Sequence, residues 1–133
     1  MSKKQLFALK TTISILLIFA IHIAFNYDRI KIDGKRAEVY SLFFGEDTKY
    51  SKDFSHRNFR KLKIGMTEKQ AVEILGQPLS KFAYNFTNNK NYHNGAFVGF
   101  KYSESPNSKD YRLRIIHLNQ KFIVAIIGEF YFD

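Results

Sequence analysis

Residues 11–25, TTISILLIFAIHIAF, form an apolar run of fifteen residues without a formal charge. As a helix it spans roughly 22 Å, short of a hydrocarbon core of about 30 Å. Leu6 to Ala8 extend the apolar stretch toward the N-terminus, and Lys10 can snorkel to the headgroups. A cleaved signal peptide needs a small-x-small site after the run. The available pairs, Ala20 with His22 and Ala24 with Asn26, do not fit that pattern. An uncleaved signal anchor is therefore the expectation. Lys3, Lys4 and Lys10 precede the run and place the N-terminus in the cytoplasm, although Arg29, Lys31, Lys35 and Arg36 beyond it reduce the contrast. His22 is the one ionisable group in the run. It marks either a polar contact within the membrane or a side chain reaching the interface.

The second constraining stretch is residues 64–78. Thr67 suits an N-cap, and Gln70 three residues on completes a capping box. Ala71, Val72, Ile74 and Leu75 follow at helical spacing as an apolar stripe. Gly76 suits the helix end and Pro78 cannot continue it. A short helix over residues 67–75 is predicted.

This combination of Gly65, Met66, Thr67, Val72, Leu75, Gly76 and Pro78 resembles the signature of the SmpA/OmlA (BamE-like) family of small bacterial envelope proteins. The resemblance covers residues 54–133. It implies two short helices laid against a small antiparallel sheet, and an envelope setting of the outer-membrane assembly type. The chain departs from the family in having no cysteine, so it lacks the lipidated cysteine that members commonly carry.

The absence of cysteine also excludes disulfides, a thiolate nucleophile and cysteine-based metal sites. Fourteen Phe and eight Tyr, with no Trp, can build an aromatic core in a small domain. The net charge is +9, of which three positive charges lie in the N-terminal tail. The excess favours an anionic neighbour such as phospholipid, lipopolysaccharide or an acidic protein, against the alternative of a basic proteome and a charge that serves solubility alone. Nucleic acid is disfavoured by the membrane segment.

Residues 27–53 are polar, basic and punctuated by Gly34 and Gly45, and read as a partly ordered linker. Ser55 caps a first short helix over residues 55–62, with Phe59 and Leu62 inward. After Pro78 the period becomes alternating. Phe82, Tyr84 and Phe86 share one strand face; Ala96, Val98, Phe100 and Tyr102 share another. Residues 103–110 read as a loop, 111–118 as a third strand, Asn119-Gln120 as a tight connection and 122–127 as a fourth strand suited to a central or covered position. The expected fold is α+β: an N-terminal transmembrane helix, then two short helices packed on a three- to four-stranded antiparallel sheet. The expected division is 1–26, cytoplasmic tail and transmembrane anchor; 27–53, linker; 54–133, folded domain.

Catalytic constellations are scarce. His56, His93 and His117 show no metal-ligand spacing, and neither a nucleophile elbow nor a phosphate-binding glycine loop occurs. Glu68 and Glu73 lie five apart on a helix and point in different directions, so they do not form a carboxylate pair. No enzyme activity and no cofactor is expected. Asn85-Phe86-Thr87 matches a glycosylation sequon, a pattern common by chance. Two features suit binding. Arg112 and Arg114 share a strand face that Lys101 can join, giving a candidate basic binding face, against the alternative of a solvated outer face. The aromatic end, Phe130-Tyr131-Phe132, either packs on the body or docks into a partner by strand addition. The expected function is a membrane-tethered, non-enzymatic domain that binds an envelope protein. An inhibitor or immunity protein acting on a secreted enzyme or toxin is the alternative. The sequence leaves oligomeric state open.

Overall fold

The structure is a computed structural model, and it describes residues 1–83, 97–107 and 109–132. It is α+β, with an apolar N-terminal helix and two antiparallel sheets of two and four strands.

Helix α1, Lys3–Phe25, has 23 residues and no buried side chain. It is long and apolar enough to cross a membrane. Ser2 and Gln5 cap it reciprocally, so the helix starts eight residues before the uncharged run. Two further helices follow at once, α2 (Tyr27–Asp33) and α3 (Lys35–Phe44). Gly34 (φ +87) and Gly45 (φ +79) break the chain between and after them, at conformations that side chains beyond Gly rarely adopt. Residues 27–53 are therefore part of the folded body and not a linker. Their Arg29, Asp33, Glu38 and Glu46 are paired internally, as described below. Strand β1 (Lys49–Tyr50) then pairs with β4 (Ser103–Glu104), inside the segment read as a loop from sequence.

Helix α4 is one turn, His56–Phe59, capped by Ser55. Helix α5, Glu68–Leu75, carries both halves of the capping box: Thr67 Oγ1 accepts from the Gln70 N–H, and Gln70 Oε1 accepts from the Thr67 N–H at 2.9 Å. Gly76 ends it at φ +76.

The larger sheet has the order β2-β3-β5-β6, from Ser80–Ala83, Val98–Lys101, Tyr111–Leu118 and Ile123–Tyr131. All neighbours are antiparallel. Strand β6 runs further than the sequence indicated, through Phe130 and Tyr131, and it lies at an edge of the sheet with α2 packed against it. The aromatic end packs on the body: Phe130 is buried, and Tyr40 meets both Phe130 and Phe132 edge-on. Tyr84, Phe86, Ala96, His93 and the Asn85 sequon lie outside the described residues.

One sheet face supplies Phe100, Ile116, Leu118 and Ile123 to a core completed by Phe59, Leu62, Ala71 and Leu75. Burying each large side chain contributes about 1.5–3 kcal/mol. Close approach depends on Gly128. A Cβ there would stand 2.5 Å from Ile32 Cγ2 and 2.9 Å from Phe59 Cε1, so α2 and α4 both rest on that glycine.

Candidate functional site: a buried charge network under helices α2 and α3

Strand alternation places Arg112 and Arg114 on the same face as Ile116 and Leu118, turned toward α2 and α3. Both arginines are 0% exposed. Lys101 pairs opposite Ile115 and therefore belongs to the other face, where its ammonium lies 5.8 Å from the centre of the Phe82 ring. The basic face expected from Lys101, Arg112 and Arg114 does not exist. The arginines were placed on a solvated side because the acidic residues that receive them are more than sixty positions away in the chain.

Those acidic residues come from the segment first read as a linker. Asp33 Oδ2, at the end of α2, lies 2.5 Å from Arg112 Nη1 and 2.7 Å from Arg114 Nη2. Arg112 Nη2 donates to Glu38 Oε2 at 3.1 Å and to Ser41 Oγ at 2.9 Å, both on α3. Arg112 Nε lies 2.5 Å from Glu46 Oε2. Arg114 Nη1 donates to the Leu113 carbonyl at 2.7 Å. Arg29 Nη2 closes the circuit by reaching Glu38 Oε1 at 2.5 Å. Three guanidinium groups thus face three carboxylates, so the cluster is neutral overall. Neutrality matters, because an unpaired ion in this setting would cost several kcal/mol.

The network extends to α1. His22 Nε2 lies 3.1 Å from Glu38 Oε1, and Asn26 Nδ2 donates to the His22 carbonyl at 2.9 Å. The polar contact that His22 makes is with the body itself.

Electrostatics follow burial. Burial pushes Arg112 toward losing its proton, but the hydrogen bond to Asp33 and the fields of Glu46, Asp33 and Glu38 outweigh it, and its pKa is raised. Burial, aided by the positive field of Arg114, lowers His56 to about 3. Burial also raises Tyr50 to about 12. At neutral pH His56 is therefore an uncharged ring packed edge-on against Tyr50 and Phe54.

Chemically, this arrangement holds elements together. Each of its guanidinium groups is paired with a carboxylate, and Asp33, Arg112 and Arg114 at its centre are fully buried. Among the described residues, no group of three or more His, Cys, Asp and Glu is placed to hold a metal ion. An open cleft of 650 Å³ lies between Phe44–Asp47, at the end of α3, and Asn107, Lys109 and Asp110. Its Asp47 carboxylate is engaged by Ser105 Oγ and by both the amide and side-chain N–H groups of Asn107. His117 is buried and faces Phe82 edge-on at 6.5 Å.

The residues of the 64–78 stretch on which the resemblance was argued gather as a seat for α5. The Gly65 N–H donates to the Ile123 carbonyl at 2.8 Å, and the Ile123 N–H donates to Met66 at 2.7 Å. Gly65 takes φ +90 to make that turn. Thr67 caps, Val72 and Leu75 pack inward, and the Gly76 carbonyl accepts from the Tyr102 hydroxyl at 3.3 Å. Pro78 is half-buried at the entrance to β2. None of these side chains lines a cavity with a polar centre.

The residues that sequence reasoning missed are Asp33, Glu38 and Glu46. The one available signal was the alternation Arg112-Leu113-Arg114-Ile115 running into the apolar Ile116-His117-Leu118, which puts the arginines in phase with core positions. Against models of known protein families, curated proteins and solved structures, the chain has no match.

Proposed function

We propose that the protein is a single-pass, membrane-tethered binding domain of the bacterial cell envelope, with α1 retained as anchor and the α+β body outside the cytoplasm. The observation that carries this reading is the contact of His22 with Glu38. It joins an apolar helix with no buried side chain to the charge network at the centre of the body. A cleaved leader would have no reason to be built into the fold in this way. The bacterial envelope setting draws its support from the likeness of residues 64–78 to the SmpA/OmlA signature. A non-enzymatic adaptor role is in keeping with arginines consumed in structural pairs. The inhibitor or immunity alternative draws on a related domain shape used by proteins that block secreted enzymes, and a basic sheet face meeting an acidic enzyme would favour it. Burial of Arg112 and Arg114 takes that face away and leaves the shape alone as its support.

The proposed protein contact is along β6, whose Glu129 and Tyr131 are exposed at the edge of the sheet. A sheet edge offers unpaired backbone groups to a partner strand. Photo-crosslinking amino acids at positions 129 and 131, activated in intact cells, test it. A single reproducible adduct with an envelope protein, absent when the crosslinker replaces Lys69 on α5, is expected. A secreted enzyme or toxin in the adduct would move the reading to an inhibitor, and no adduct at either position would overturn it. Recovery of an N-terminal peptide from the membrane fraction would establish retention of the anchor.

A further inference from the structure

Helix α3 is amphipathic in the opposite sense to a water-facing helix. Its inner face is polar: Glu38 is 5% exposed, and both Glu38 and Ser41 accept from Arg112. Its outer face is apolar, with Val39 and Leu42 each 54% exposed and Phe43 75% exposed. Lys35 and Arg36 flank this stripe at the start of the helix. In water the free face of a helix is ordinarily the charged one. Some other medium is expected against Val39, Leu42 and Phe43.

The level of the helix along α1 identifies that medium. Glu38, near the middle of α3, meets His22, three residues before α1 ends at Phe25. At about 1.5 Å per residue, α3 lies within one turn of the end of the apolar run. Between the two helices is a groove of about 220 Å³ with Phe19 and Ile23 on one wall and Val39 and Leu42 on the other. His22, Lys35 and Glu38 also line the groove, but its surface is predominantly apolar, so the apolar side of α1 continues onto that of α3. Phe25 and Tyr27, both exposed, stand at the same level, where aromatic side chains favour the boundary between headgroups and acyl chains. The groove walls are bulky. Packing of a second membrane helix favours small residues that let backbones approach, whereas acyl chains adapt to large side chains.

We propose that α3 is an interfacial element: it lies at the membrane surface on the body's side of the span, with Val39, Leu42 and Phe43 among the acyl chains and Lys35 and Arg36 on anionic lipid phosphates. This inference rests on the reading of α1 as a membrane anchor. It adds that the body is seated on the bilayer in one orientation and does not swing from a flexible tether. Basic residues beside an apolar helix face are the arrangement that binds anionic interfaces. The seat is stiffened from below, because Glu38 and Ser41 tie α3 to β5 through Arg112.

The chain has no tryptophan, so single-Trp variants report one position each. The full chain is reconstituted in vesicles of phosphatidylcholine with a quarter phosphatidylglycerol, using phosphatidylcholine brominated at shallow or deep chain positions. Phe43→Trp is expected to be quenched about twofold by the shallow bromines and less by the deep ones. Phe19→Trp should be quenched by bilayer bromines, and Lys69→Trp on α5 by neither. Replacing Lys35 and Arg36 with Glu should weaken the quenching of Phe43→Trp in these anionic vesicles. Quenching at Phe19→Trp without quenching at Phe43→Trp would overturn the seat and leave the anchor standing. Absence of quenching at both would overturn the anchor and the seat together. A blue-shifted but unquenched Phe43→Trp would mean that protein, a second copy included, covers the face, and would also overturn the proposal.

Discussion

Arg112 Nη1 lies 2.5 Å from Asp33 Oδ2, with both side chains 0% exposed, and this ion pair ties the longest-paired strand of the sheet to the end of α2. Asp33 accepts from Arg114 as well, so one carboxylate oxygen holds two buried cations. Buried pairs of this kind do little for net stability against an apolar substitute, but removing one partner strands the others. Its role here is to fix where α2 and α3 sit.

Asp33→Asn is therefore expected to cost about 3–5 kcal/mol, because two guanidinium groups lose their shared counter-charge. The exposed pair of Asp28 with Arg60 provides the contrast, and Asp28→Asn should cost less than about 1 kcal/mol. Urea unfolding of the full chain in detergent, followed by circular dichroism, measures both. Equal effects would mean that the Asp33 site is wet.

Leu75 is 0% exposed at the end of α5, and Leu75→Ala should cost about 2–5 kcal/mol. Thr67→Ala removes only the cap and should cost about 1 kcal/mol. A loss below about 0.5 kcal/mol for Leu75→Ala in the same unfolding assay would place α5 on the wrong face.

Gly128→Ala introduces a Cβ into space occupied by Ile32 and Phe59. The helices must shift, and a loss of about 1–3 kcal/mol is expected. Thermal unfolding of Gly128→Ala beside the double variant Gly128→Ala, Ile32→Ala checks the cause. The second substitution should recover part of the loss, and a purely additive pair would contradict the contact.

His56 has a folded pKa of about 3, well below the ordinary value of 6.5. Between these values the unfolded chain binds a proton that the folded chain does not, so stability rises with pH across that window. It is complete above about 6.5 and falls as pH drops toward 3, with a slope of about 1 kcal/mol per pH unit after allowing for partial exposure. His56→Asn should flatten the pH dependence of unfolding between pH 4 and 6. An unchanged slope would assign the acid sensitivity to the carboxylates of the network.

Much of the fold was legible because its signals are local. The Thr67–Gln70 capping box and the Gly76 stop are complete within ten residues, and α5 forms where they predict. The alternation of residues 111–118 is likewise a property of one strand, and β5 matches it. The pairing of Lys49–Tyr50 with Ser103–Glu104 was not legible, since two-residue strands carry no period. Residues 27–53 misled for a related reason: polarity and two glycines describe a linker as well as two helices with an inward polar face.

By itself, the sequence determined the apolar helix, the capped helix α5 and the alternating strand β5, because each depends on hydrogen bonds and side-chain spacing within a few residues. Only the tertiary structure decided the destination of Arg112 and Arg114. Their partner Asp33 stands 79 and 81 positions away, and the same alternation describes a solvated basic face until that carboxylate is brought against it. Charge is read as exposed unless a counter-charge is known to be near. Nearness between distant residues is created by packing, which is also what turned the apolar side of α3 outward.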